Sequence, residues 1–148
     1  MPVSTTSFLF PDLNVWLALV VAGHEHHGSA LRWYESTSPN THLFFCRITQ
    51  LGLLRLLTAD AVMGDGVMDQ AEAWLTYDYL LEDERISLRE EPAYVEEIFR
   101  EITRSKRPEP KDWGDSYLIA FANASGSSLV TFDRALAHKA PSAHLLRA

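Results

Sequence analysis

The chain has 148 residues, enough for one domain with a core of its own. Apolar residues make up 47% and charged residues 22%, as in an ordinary globular protein, and a single cysteine, Cys46, excludes an internal disulfide or a paired-cysteine zinc site. The formal net charge of −7 argues against a uniformly basic nucleic-acid binder, but residues 82–101 alone hold eight acids against three arginines, and the remainder is nearly balanced.

The opening MPVSTTSFLF lacks the positive start of a secretory signal, the first Lys or Arg being Arg32. SFLF at residues 7–10 predicts a first strand, and helices are predicted over residues 14–22 and 29–36. The longest apolar run, residues 15–22, is too short to cross a bilayer, so a cytoplasmic protein with no membrane partner is expected. HLFF at residues 42–45 predicts a second strand. Residues 48–57 carry Ile48, Leu51 and Leu54 at helical spacing. Gly64 and Gly66 punctuate a loop before a helix over residues 68–77, and residues 86–88 predict a weak, short strand. Residues 93–103 predict an amphipathic helix with Val95, Ile98, Phe99 and Ile102 on one face. KRPEP at residues 106–110 breaks the chain before a helix over residues 113–123. SSLVTF at residues 127–132 is the clearest strand, and residues 144–146 predict a last one. This alternation implies a single α/β domain over residues 1–148, with a mostly parallel sheet, crossover helices on its faces, and ligands at the carboxyl ends of the strands.

Three aspartates stand at such ends. Asp12 follows the first strand, Asp133 follows the late strand, and Asp115 lies in the first turn of the helix opened by Asp112-Trp113-Gly114. Any one of them could simply cap a helix, and Asp112 is read mainly as a cap. Gathered on one rim, Asp12, Asp115 and Asp133 would repel one another unless a cation sat among them. A hard divalent ion, Mg²⁺ or Mn²⁺, suits carboxylate and water oxygens and supplies what phosphodiester hydrolysis needs.

Over nearly its full length the chain resembles the PIN-domain toxins of the VapBC type. The resembling stretches are FLFPDLNVWLAL, CRITQLGLLRLLT and DWGDSYLIAFANASGSSLVTFDRALA. The resemblance implies a Rossmann-like three-layer α/β/α sandwich, Mg²⁺-dependent endoribonuclease activity, a small VapB-like antitoxin as partner, and commonly a homodimer. It assigns the metal to Asp12, Asp115 and Asp133, with Asn14 and Thr131 orienting them and Arg55 meeting phosphate or structural carboxylates. The chain departs from the family at one point. The acid usual early in the middle helix is absent, its place falling on Gln50 or Gly52. Gln50 can accept a hydrogen bond but brings no charge. A catalytically weakened module that binds RNA or protein is therefore the alternative.

Other features carry less. His24, His26 and His27 form either a transition-metal cluster or a solvated loop, and no further ligands complete a metal set. Trp33, Trp74, Tyr77 and Tyr79 sit at helical spacing and suit core or dimer contacts, whereas Trp113 adjoins the proposed rim. Arg104, Lys106, Arg107 and Lys111 are the candidate RNA contacts, with a solvated loop as the other reading. An aspartyl-phosphate phosphatase using Asp12 would want a second Asp where Asn14 stands.

Overall fold

A computed structural model describes residues 6–147; residues 1–5 and Ala148 of the expected domain lie outside the described residues. Five strands form one sheet, β1 (Ser7–Pro11), β2 (Thr41–Phe45), β3 (Ile86–Leu88), β4 (Ser128–Thr131) and β5 (His144–Leu145), in the order β3-β2-β1-β4-β5. Every pairing is parallel, with Leu9 opposite both Leu43 and Ser128. The helices are α1 (Leu13–Val20), α2 (His27–Ser36), α3 (Arg47–Leu57), α4 (Asp60–Met63), α5 (Gln70–Leu81), α6 (Val95–Ile102), α7 (Asp112–Ser125) and α8 (Arg134–Lys139).

The sheet is covered on both sides, which is why its strands read as apolar runs rather than as alternating patterns. Successive residues of β2 point to opposite faces. Leu43 and Phe45 join Trp16, Leu53, Leu57 and Tyr77 beneath α1, α3 and α5. Phe44 joins Phe10, Leu118, Phe121 and Leu136 beneath α7 and α8. The result is the expected three-layer sandwich. Trp16 stacks on Phe45 with centroids 4.1 Å apart. Both are fully buried, and each such side chain contributes roughly 1.5–3 kcal/mol.

Three local expectations are corrected. The loop expected at Gly64 and Gly66 is a 3₁₀ turn over Gly64–Gly66, with Gly64 at φ +56°, and the short α4 precedes it. α5 starts at Gln70 rather than 68, because Asp69 and Glu72 cap each other's backbone N–H groups. It continues to Leu81 because no Gly or Pro interrupts residues 77–85. Asp112 does not cap α7: the helix begins at Asp112 itself, with Lys111 at the N-cap position and no side-chain cap bond.

The strand order fixes where chemistry can sit. From β1 the chain moves outward to β2 and β3, then returns to the other side of β1 for β4 and β5. The carboxyl ends of β1 and β4 thus flank the switch point, where parallel sheets open a crevice. Among the described residues no helix is long and apolar enough to cross a membrane.

Candidate active site

Asp12 leaves β1 directly into the crevice. Its backbone N–H donates to the Val130 carbonyl at 2.8 Å, tying the end of β1 to β4. Its side chain caps α1, with Oδ1 accepting from the Leu13 N–H at 2.7 Å. Oδ2 accepts from the Thr131 hydroxyl at 2.9 Å. Capping and site-building are therefore compatible roles for one carboxylate.

Thr131, fully buried at the end of β4, is the hub of this network. Its hydroxyl donates to Asp12 and accepts from the Asp133 N–H at 2.9 Å and from Asn14 Nδ2 at 3.4 Å. One donor and two acceptor positions are thereby filled. The Asn14 carbonyl oxygen accepts from the Phe132 N–H at 3.3 Å. Asn14 thus stitches α1 to β4 with both ends of its amide and is not placed as the acid/base of a phosphatase. Asp133 caps α8 through Oδ1, which accepts from the Ala135 and Leu136 N–H groups at 2.8 and 3.2 Å.

Asp115 comes from α7, in the first turn with Asp112. Both meet Lys139, the last residue of α8, a side chain that sequence reasoning missed. Its Nζ lies 2.9 Å from Asp112 Oδ1 and 4.0 Å from Asp115 Oδ2. The sequence placed Lys139 six residues after Asp133 on a short helix; only the packing of α8 beside the start of α7 brings it to the acids.

Burial and neighbouring carboxylates act together on Asp12 and Asp115. Burial pushes the Asp12 carboxyl above its ordinary pKa. Hydrogen bonds from Thr131 and Leu13 pull it back, and the charges of Asp115 and Asp133 push it up again. Burial also raises Asp115, opposed by Lys139 and reinforced by Asp133 and Asp112. Hard oxygen donors whose ionisation is opposed by burial and by neighbouring carboxylates, as at Asp12 and Asp115, fit a divalent cation in chemistry. Among the described residues, however, no three His, Cys, Asp or Glu side chains form a preassembled metal cage. The carboxylates form an open rim.

The other candidates divide. Gln50 is buried, and its carbonyl oxygen accepts from Arg47 at 2.6 Å, so its amide is engaged within α3. Gly52 is the residue that faces α1: a Cβ there would lie 2.7 Å from Leu13 Cδ2, next to Asp12. Arg55 lines a hollow of about 300 Å³ between α3 and α5 with Leu51, Leu54 and Trp74, away from any carboxylate partner among the described residues. Of the aromatics, Tyr77 is buried, while Trp74, Tyr79 and Trp113 are exposed. Arg104 pairs with Glu101 at 3.1 Å. Arg107 and Trp113 line one hollow near Asp112, and Lys106 and Lys111 are exposed. The histidines serve local structure: His24 Nδ1 accepts from the His26 N–H, His26 stacks on Phe132 at 4.6 Å, and His27 contacts the Ala18 carbonyl.

Comparison with known proteins agrees with this architecture. The family model "PIN domain" matches residues 9–141. Ribonuclease VapC41 of Mycobacterium tuberculosis is 41% identical over 131 residues, covering 86% of this chain and 90% of the relative. The crystal structure of M. tuberculosis VapC20, a sarcin–ricin loop cleaving toxin, superposes with a TM-score of 0.67 at 20% identity, over 94% of this chain and 99% of that one. VapBC2 of Rickettsia felis, bound to a DNA fragment from its promoter, gives a TM-score of 0.63 at 15% identity, over 93% and 96%. At such identities these two likenesses bear on the fold alone.

Proposed function

The chain belongs to the PIN-domain family, among its VapC-type ribonucleases, and from that premise we propose that it is a Mg²⁺-dependent endoribonuclease, with Mn²⁺ as substitute, acting as the toxin of a cytoplasmic toxin–antitoxin pair. The observation that carries this reading is the electrostatic coupling of Asp12, Asp115 and Asp133 around the switch point. Three acids from distant parts of the chain are gathered so that the charges of Asp115 and Asp133 oppose ionisation of the buried Asp12, and that of Asp133 opposes ionisation of Asp115. That arrangement costs stability, and a cation shared by the three would offset the cost.

Asp12, Asp115 and Asp133 would hold the ion, which when bound lowers the pKa of an attacking water and offsets charge on a phosphodiester. The chain's own residues do the positioning. Thr131 fixes the Asp12 carboxylate by donating to Oδ2, and the Leu13 N–H fixes Oδ1. Asn14 holds Thr131 in register between α1 and β4. Lys139 keeps the first turn of α7 close to α8 through Asp112. Arg104, Lys106, Arg107, Lys111 and Trp113 form the flank across which RNA would lie.

The partners follow from the same reading. A VapB-like antitoxin would cover the carboxylate crevice, a basic side chain answering the acids. Ile48 and Leu51 on α3 and Trp74 and Leu75 on α5 are exposed apolar side chains that suit pairing with a second copy.

The test is RNA cleavage by the purified chain with Mg²⁺. Cleavage abolished by EDTA and by Asp12→Asn is the expected result. The second reading, a weakened binding module, is favoured by one observation: neither Gln50, engaged by Arg47, nor Gly52, without a side chain, supplies the usual fourth acid. RNA bound tightly and left intact with every divalent ion tried would establish that module instead.

A further inference from the structure

The acid rim already carries a positive charge of its own. Lys139 ends α8, and its ammonium stands over the first turn of α7, which holds both Asp112 and Asp115. Nζ donates to Asp112 Oδ1 at 2.9 Å and lies 4.0 Å from Asp115 Oδ2, the outer reach of an ion pair. Among the described residues no other Lys or Arg comes within 4.0 Å of either acid. The hydrogen bond to Asp112 raises the ammonium above its ordinary pKa, and the charges of Asp112, Asp115 and Asp133 add to it. Lys139 therefore stays charged throughout the neutral range.

Stability does not account for this placement. The Lys139, Asp112 and Asp115 side chains are 40%, 41% and 34% exposed, and ion pairs so open to water contribute little to folding. What the ammonium changes is the local field. A carboxylate beside it has less charge to offer a second cation, and the ammonium repels that cation directly. At Asp115 its charge opposes the effect of burial and of the neighbouring acids. Asp112 takes the hydrogen bond, so Asp115 meets the ammonium only at the longer distance. Two acids of one helical turn thus play different parts. Asp112 holds the lysine, and Asp115 is left open to an ion.

We propose that Lys139 is a resident counter-charge that sets how tightly this rim holds a divalent ion, and that Asp112 restrains it from closing on Asp115. The inference rests on the metal-dependent reading of the site and adds a control on its affinity. Lys139 and Asp112 act through Asp115, so both are positioning residues. Removing the ammonium strengthens the rim's hold on a cation, and removing its restraint weakens that hold.

The experiment titrates Mn²⁺ into the purified full chain by calorimetry at low ionic strength, without RNA, and records each variant's Tm in EDTA. Lys139→Met is expected to tighten Mn²⁺ binding by about 3- to 30-fold. Lys139→Gln, which still donates to Asp112, should tighten it likewise and serves should Lys139→Met fold poorly. Lys139→Arg keeps the charge and should keep the unaltered affinity. Asp112→Asn leaves the ammonium free to close on Asp115 and is expected to weaken binding several-fold. The opposite signs are the signature, because both changes break the same bridge and a plain tether would move affinity and Tm the same way in each. Added salt should shrink the gap between Lys139→Met and the unaltered chain. Folded Lys139→Met and Lys139→Gln that bind Mn²⁺ no more tightly than the unaltered chain, or Asp112→Asn that binds it no more weakly, overturn the counter-charge and leave the ribonuclease reading standing. An unaltered chain that binds no Mn²⁺ overturns both.

Discussion

At the scale of single residues, two side-chain networks have opposite purposes. Thr131 spends all its hydrogen-bonding capacity on Asp12, Asn14 and the Asp133 N–H. Thr131→Val keeps the shape and deletes the hydroxyl. It is expected to cost about 1–3 kcal/mol in urea unfolding and to lower cleavage sharply, whereas Thr131→Ser should restore most of both. Asp83 belongs to the scaffold. It accepts from Arg85 at 2.8 Å and from the Tyr34 hydroxyl, and the Arg85 guanidinium holds its carboxyl far below the ordinary value. Near the ordinary pKa the unfolded chain therefore binds more protons at this site than the native one. The stability Asp83 confers is complete above about pH 4 and drains away as the pH falls through its lowered pKa. Asp83→Asn is expected to lower stability at neutral pH by about 1–2 kcal/mol, with cleavage by the folded fraction unchanged. The gap to the unaltered chain should narrow on acidification; a pH-independent gap would show that the charge is not the cause.

At the scale of elements, α3 decides whether the missing acid matters. Sequence alone left its place open between Gln50 and Gly52. Neighbouring helical positions point about 100° apart, so a shift of two residues changes which face carries the charge. The packing separates them: Gln50 is engaged by Arg47, while a Cβ on Gly52 would meet Leu13 beside Asp12. A carboxylate introduced by Gly52→Glu, with Leu13 turning aside, should therefore tighten Mn²⁺ binding several-fold in calorimetric titration. Gln50→Glu should pair with Arg47 and leave the affinity unchanged. Equal effects from both variants would mean that α3 does not present one face to the site.

At the scale of the whole molecule, a cation shared by the three acids, as proposed, would couple folding to its binding. The acids come from β1, α7 and the β4–α8 junction, so a shared cation binds the folded chain and not the unfolded one. Mg²⁺ at about 100 times its dissociation constant should add about 2.7 kcal/mol, a rise in Tm of roughly 5–10 °C, and Asp115→Asn should remove that rise. Most of this architecture was legible in the chain itself. Apolar runs such as SFLF and SSLVTF and the helical spacing of residues 48–57 set element type, because burial on a sheet or helix face imposes a period. Asp12 and Asp133 were legible for the same reason, since a parallel sheet puts the ends of its strands on one edge. What the sequence could not show is what depends on three-dimensional packing. Lys139 meets Asp112 only because α8 lies beside α7, Gly52 rather than Gln50 faces α1, and the hollow under Trp113 exists only where α6 and α7 meet. Periodicity is local and survives in a string of residues, whereas a contact between distant side chains is decided by how the layers pack.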